Sequence, residues 1–328
     1  MSQTKAQLID AAATFTISSD ASFNSVSIGK GANSVAGNTV LGETALDASV
    51  TGANNTAIGY QSLSANTSGT QNTAVGGASA RANTTGSYNT AVGHGALLEN
   101  TTGSNNTALG DDALEVNTTA SNNTAVGANA LTANTTGSDN TALGYGALDA
   151  NTTASENVAV GTNALTDNTT GTSNTAVGRM ALGNNTTADG NTGIGTDALF
   201  STTTGGQNTS VGHNSMFENT TGNHNVAVGS FALDANTEGT SNTAVGVSAL
   251  GANTTGIVNT AVGRQALQEN TTGSYNQAFG YLTLQQNTTG TRNVGVGYSC
   301  IRNNTTGGDN IGIGYSTVNA NTTGNNNI

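Results

Sequence analysis

The chain has 328 residues, 45 of them Gly and none Pro or Trp, with 8% charged residues and a net charge of −12. With no Lys after Lys30, little is available to neutralise a row of phosphates, which excludes a nucleic-acid groove. No segment approaches the ~20 apolar residues of a membrane span, so membrane insertion is not expected either.

Residues 1–23 begin MSQTKAQLIDAAATFTISS, with one early Lys, no continuous apolar core and Asp10 in the middle, which does not read as a Sec signal. Residues 24–37, NSVSIGKGANSVAG, form one fourteen-residue unit in which Val26 and Ile28 alternate ahead of Gly29. From Asn38 onward every seventeenth residue is Asn, as far as Asn310, and Asn327 opens an eighteenth unit. NTAIGYQSLSANTSG at 55–69 is thus followed by NTAVGGASARANTTG at 72–86. A fixed period of this kind marks a solenoid, so residues 38–328 are one quasi-one-dimensional body.

The consensus unit is N-T-A-V-G-x-x-A-L-x-x-N-T-T-G-x-x, numbered 1 to 17 below. Seventeen residues are too few for two packed helices with a turn, and Val, Thr, Asn and Gly recur where a helical repeat favours Ala, Glu and Lys. The expected fold is all-β: a parallel β-solenoid or β-roll of 17-residue coils, assembled as a trimer.

Within NTAVG, positions 2 and 4 share one face and positions 1, 3 and 5 the other, because strand side chains alternate. Position 4 (Ile58, Val75, Val92) and position 9 (Leu63, Leu97, Leu114) are expected to form the core, with a second short strand through ALxxN. Gly59, Gly76 and Gly93 at position 5 mark corners, since Gly adopts positive φ at low cost. The Asn columns, Asn55, Asn72 and Asn89 at position 1 and Asn66, Asn83 and Asn100 at position 12, are expected to form amide ladders along the axis. The Thr pair at positions 13 and 14 is expected to ladder through its hydroxyls. At ~4.8 Å per coil the rod would be roughly 80 Å long.

Two aliphatic side chains per coil make a thin core, and position 3 is Ala, Gly or Ser in every unit but the first, which has Val40. That small-residue face is expected to admit neighbouring chains, giving a homo-trimer around the rod axis. Of 22 charged residues beyond residue 37, 21 lie at positions 6, 7, 10, 11, 16 or 17, which places those positions in solvent.

Chemistry is sparse. His94, His213 and His224 form no cluster by themselves, Asp111, Asp112 and Glu115 read as a solvated acidic corner, and Cys300 at position 8 reads as a small buried filler. Tyr281, Tyr298 and Tyr315 occupy position 6 of three successive coils and are expected to stack, with glycan contact as a second use of the exposed ladder. Neither a cofactor, a metal nor catalysis is expected, because a uniform rod offers no cleft.

The 24–37 unit resembles the head repeat of trimeric autotransporter adhesins, which form a trimeric left-handed parallel β-roll. The NTAVG…ALxxNTTG units are similar to repeats of bacteriophage tail fibres and related adhesins, often placed before a C-terminal self-cleaving chaperone domain. MSQTKAQLID is similar to the start of short structural proteins of phages that infect marine cyanobacteria. The resemblance implies a structural fibre protein of a phage virion, made in the host cytoplasm. Residues 1–23 would attach it to other virion or tail proteins, and the rod would project to adsorb to a host cell-surface receptor, such as a glycan. Alternatives are an ice-binding or bacterial adhesin β-solenoid and a self-assembling filament subunit. Because the repeat stops two residues into a coil, a C-terminal part is expected to have been truncated or removed after assembly.

Overall fold

Each unit carries one short run of β-branched and small residues ended by a Gly, and each such run makes one short strand. In the computed structural model, which describes residues 20–328, these strands run from β3 (Thr39–Gly42) and β4 (Thr56–Ile58) to β19 (Ile311–Ile313). All are parallel from β3 onward and in one register, so that Thr56, Ala57 and Ile58 face Thr73, Ala74 and Val75. The parallel β-solenoid of 17-residue coils is therefore the fold of residues 38–328.

The fourteen-residue unit departs from expectation. β1 (Ala21–Phe23) and β2 (Val26–Gly29) form an antiparallel pair, and β2 runs antiparallel to β3 as well, with Ile28 opposite Leu41. A unit three residues short of the period cannot hold the 17-residue register, so residues 24–37 fold across the first coil instead of stacking on it. The Asp20 carboxylate accepts the backbone N–H groups of Lys30 and Gly31, each at 2.7 Å. Asn33 Nδ2 donates to the Val50 carbonyl at 3.0 Å, and Ala32 and Val35 pack against the core. The unit thereby covers the first edge of the stack, the position at which an open sheet recruits other strands. Most of the predicted attachment segment, residues 1–19, lies outside the described residues.

The expected second strand is absent. Positions 7 and 9 take left-handed backbone in coil after coil, as at Gln61 (φ 55°) and Leu63 (φ 50°), so ALxxN turns where an extended chain was expected. It is nonetheless bonded to the next coil: Leu63 N–H donates to Ser79 O at 3.1 Å, Ala65 N–H to Arg81 O at 3.0 Å and Thr67 N–H to Thr84 O at 2.9 Å. The Thr ladder is also of another kind, because the position 13 hydroxyl donates to a backbone carbonyl, Thr84 Oγ1 to Thr101 O at 2.9 Å.

The core is the main correction. Alternation holds, but the faces are inverted: Ala57, Ala74 and Ala91 at position 3 are fully buried, whereas Ile58, Val75 and Val92 at position 4 are half-buried and point outward. Leu63, Leu97 and Leu114 are fully buried as expected. One strand closed by turns makes a narrow coil, and once Leu occupies it from position 9 the facing strand has room only for a methyl group. Size compensation shows how tight the fit is. Where position 8 grows to Thr283 or Cys300, position 3 of the next coil shrinks to Gly295 or Gly312. A Cβ there would meet Thr283 Cγ2 at 2.5 Å or Cys300 Sγ at 2.7 Å. Cys300 is the buried filler its position suggested.

The remaining interior is amide, and both Asn ladders form. At position 1 the Oδ1 of Asn55 accepts the backbone N–H of Asn72 at 2.9 Å, and Asn72 does the same for Asn89. At position 12 the amide of Asn83 donates to Asn66 Oδ1 at 2.9 Å, and Asn100 donates to Asn83. Both columns also converge within the coil, since Asn55 and Asn66 each donate to the Gly69 carbonyl, at 2.9 and 3.1 Å. Buried amides are tolerable only when satisfied in this way. The position 12 ladder breaks at Thr202, which replaces Asn and leaves buried Asn185 Oδ1 without a partner among the described residues; Asn214 Oδ1, at position 7, is a second such atom.

Two measurements follow from this packing. Gly59, Gly76 and Gly93 have φ of 129°, 138° and 140°, and a Cβ at Gly178 (φ 135°) would lie 2.4 Å from the Gly195 carbonyl oxygen. Gly178→Ala is therefore expected to cost about 1–3 kcal/mol or more in thermal unfolding, while Thr187→Ala on the exposed corner stays within about 0.5 kcal/mol. Thr202→Asn should close the broken ladder and stabilise the rod by about 1–3 kcal/mol, the usual cost of an unpaired buried acceptor. An unchanged melting temperature would remove the ladder from the account.

Candidate functional site

With position 3 turned inward, the strand face offered to partners is the one carrying positions 2 and 4. Position 4 is Val, Ile, Leu or Phe in all seventeen coils, and the in-register stacking sets these side chains in one unbroken column. Leu109 is 45% and Leu143 48% exposed, an unusual degree for Leu in a sheet. The flanking position 2 column is mostly Thr, whose methyl groups extend the apolar surface. Monomeric soluble proteins rarely expose a contiguous apolar patch above a few hundred Å², which makes this stripe the candidate interaction surface of the rod. The small-residue face expected to admit neighbouring chains is inside the coil and unavailable.

The position 6 column stands at the next corner, just past the Gly that ends each strand. There the predicted tyrosine stack forms: Tyr281 and Tyr298 have ring centroids 5.3 Å apart, and Tyr298 and Tyr315 lie 5.1 Å apart with planes 6° from parallel. Arg264, one coil earlier, places its guanidinium 5.9 Å from the Tyr281 centroid. Tyr298 and Tyr315 are therefore stacked face to face, whereas Tyr281 is tilted by 42° against Tyr298. The face of Tyr298 that meets Tyr315 is thereby closed to a sugar ring.

The same column brings together residues that were considered separately in the sequence. His94 and Asp111 both stand at position 6 of successive coils, with His94 Nδ1 3.4 Å from Asp111 Oδ1 and 3.8 Å from Asp112 Oδ1. These three groups lie close enough to share an ion, yet both His94 and Asp111 are well exposed. The signal that would have found the pair is its separation of one full period. Glu115 sits beside this cluster, and its carboxyl is raised above its ordinary range, first by burial and then by repulsion from Asp112 and Glu99, with His94 partly offsetting.

Oppositely charged residues tie neighbouring coils along the solvent corners. Arg81 meets Glu99 at 3.1 Å and Arg179 meets Asp197 at 2.8 Å. Arg292 grips Asp309 with two hydrogen bonds of 2.6 and 2.7 Å, which hold the Asp309 carboxyl below its usual range and raise Arg292. The Thr pair is divided: the position 13 hydroxyl donates to the carbonyl of the next coil, as Thr101 Oγ1 does to Thr118 O at 2.9 Å, so the pair does not form two equivalent rows of outward hydroxyls.

Neither a family model nor a curated protein matches the chain. Function therefore rests on the columns themselves.

The acidic corner provides a pH test. A carboxyl whose pKa is raised in the folded state is destabilising once ionised, so Glu115→Gln should stabilise the rod at neutral pH. The advantage should fade as pH falls through the raised folded pKa of Glu115 and vanish below the ordinary carboxylate range. Solvent screening at this partly exposed site keeps the gain under about 1 kcal/mol, readable as a pH-dependent difference in melting temperature.

Proposed function

We propose that this chain is the rod of a homo-trimeric virion fibre, in which three solenoids pair through their position 2 and 4 columns and project to adsorb to a host surface. The observation that carries the reading is the unbroken apolar column on the outward strand face. A fibre needs length and stiffness, and the fold provides both by repeating one coil with every backbone segment bonded to the next. The narrow alanine-lined interior supports the oligomer independently, because a core this thin gains most from additional burial outside it. In a trimer the position 4 side chains of three chains would converge on the axis, and the charged corners at positions 6, 7, 10 and 11 would remain in solvent.

Attachment to other virion proteins is assigned to the N-terminal segment, and host contact to the exposed corners. The resemblance of the repeats to phage tail fibres and adhesin heads supports both assignments.

The test is light scattering coupled to size exclusion, followed by negative-stain microscopy of the same peak. The wild-type chain is expected to show the mass of three 32.3-kDa chains in a thin rod. Leu109→Lys together with Leu143→Lys, both exposed in the single chain, should yield monomers that keep the wild-type circular dichroism. A double variant that stays trimeric would move the interface to another face.

A further inference from the structure

A notch interrupts the otherwise similar corners of the rod. Position 10 carries side chains of varied length, and it is Gly in two coils, at Gly183 and Gly251. At Gly183 the gap is filled by Phe200 of the next coil, whose ring atoms lie 3.0 Å from where a Cβ would stand. At Gly251 no ring fills the corresponding gap, and a carboxylate oxygen reaches its edge. There the nearest side-chain atom to a would-be Cβ is Asp234 Oδ1, at 3.3 Å, and a cavity of about 300 Å³ opens.

The slot is one coil wide. Its floor is Gly251, Ala252 and Ser248 of the middle coil, and its walls are Phe231 and Asp234 on one side and Gln268 and Glu269 on the other. The walls stand two coil spacings apart, roughly 10 Å, enough for a six-membered ring or an extended alkyl group. Phe231 is 40% exposed, and the edge-to-face contact of His213 with it, at 5.4 Å, steadies the ring. The charge in the slot is of one sign, because neither Asp234 nor Glu269 has an ion-pair partner among the described residues. Asp234 is half-buried, and burial pushes its carboxyl above the ordinary range, opposed by the backbone N–H groups of Asp234 and Ala235 and assisted by Glu218.

We propose that this slot binds an amine: an ammonium group held by the Asp234 carboxylate, which reaches over Gly251, in the negative field of Glu269 on the opposite wall, with the ligand's apolar face against Phe231 and its remaining polar atoms against Gln268 and Ser248. An amino sugar of a surface polysaccharide and a free aliphatic amine share this chemistry. The slot is built from positions 7, 10 and 11, away from the strand columns, so it does not depend on what covers the apolar stripe. It also does not depend on the fibre reading.

The experiment is titration of the full chain, by calorimetry or by chemical shift, with glucosamine, N-acetylglucosamine and propylamine. One saturable site per chain is expected for an amine, with N-acetylglucosamine, which keeps the ring and loses the charge, at least about tenfold weaker. Asp234→Asn should weaken the amine by about tenfold or more, and Gly251→Leu, which fills the slot, should abolish binding while circular dichroism confirms the fold. Binding of glucosamine but not propylamine names an amino sugar, and equal binding names the aliphatic amine. No saturable binding by either amine, equal binding of N-acetylglucosamine, or binding that survives Gly251→Leu would overturn the proposal.

Discussion

The structure depends on one exchange between neighbouring coils, the capture of a backbone N–H by the side-chain oxygen of the Asn directly below it. Asn38 does this for Asn55 and Asn310 for Asn327, with the links between them made the same way. The same Asn closes its own coil by donating to the position 15 carbonyl, so one side chain sets both the circumference of the coil and its registry on the next. This explains the strictness of the period. A residue inserted into the bonded part of a coil would move one Asn off its partner and leave buried amides unpaired, each at about 1–3 kcal/mol.

From that constraint the remaining columns follow. An interior occupied by two amide ladders and a Leu has little room for β-branched side chains, so position 3 is Ala, Gly or Ser in all coils but the first. The larger residues of the strand go outside. An uninterrupted apolar stripe on a protein that otherwise presents Thr, Ser, Asn and acidic side chains is then the price of a narrow coil, and association of chains is the physical outlet for it. The proposed rod function and the proposed association of chains both rest on this one packing arrangement.

Much of this was legible in the repeat. The period, the absence of helix, the corner glycines, the two Asn columns, the solvent corners and the tyrosine stack could all be read from residues recurring at fixed positions. The inner and outer faces of the strand could not. Alternation separates Ala57 from Ile58 without saying which is inside, and hydrophobicity ranks Ile ahead of Ala; the width of the coil decides, and it emerges only when Leu63 turns in on left-handed backbone. A subtler clue was present in the pairing of Thr283 with Gly295 and of Cys300 with Gly312, an exchange of size between position 8 and the next position 3 that makes sense only if both are internal. The fourteen-residue unit misled for the opposite reason, because its NSVSIG matches the strand motif while its length forbids the parallel register. At the acidic corner, reading down a column would have joined His94 to Asp111. The slot at Gly251 required coordinates, since Gly183 carries the same sequence signal and is filled by a neighbour.

The central claim is that the Asn columns are the hydrogen-bonded interior of the rod, and hydrogen exchange of their side-chain amides tests it most directly. With asparagine side chains observed by NMR, the Nδ2 protons of positions 1 and 12 in the middle coils should exchange far more slowly than those of exposed Asn54 and Asn105. Exchange of all these groups at the rate of a free side chain would contradict the account, because the registry of every coil would then rest on something other than the ladders.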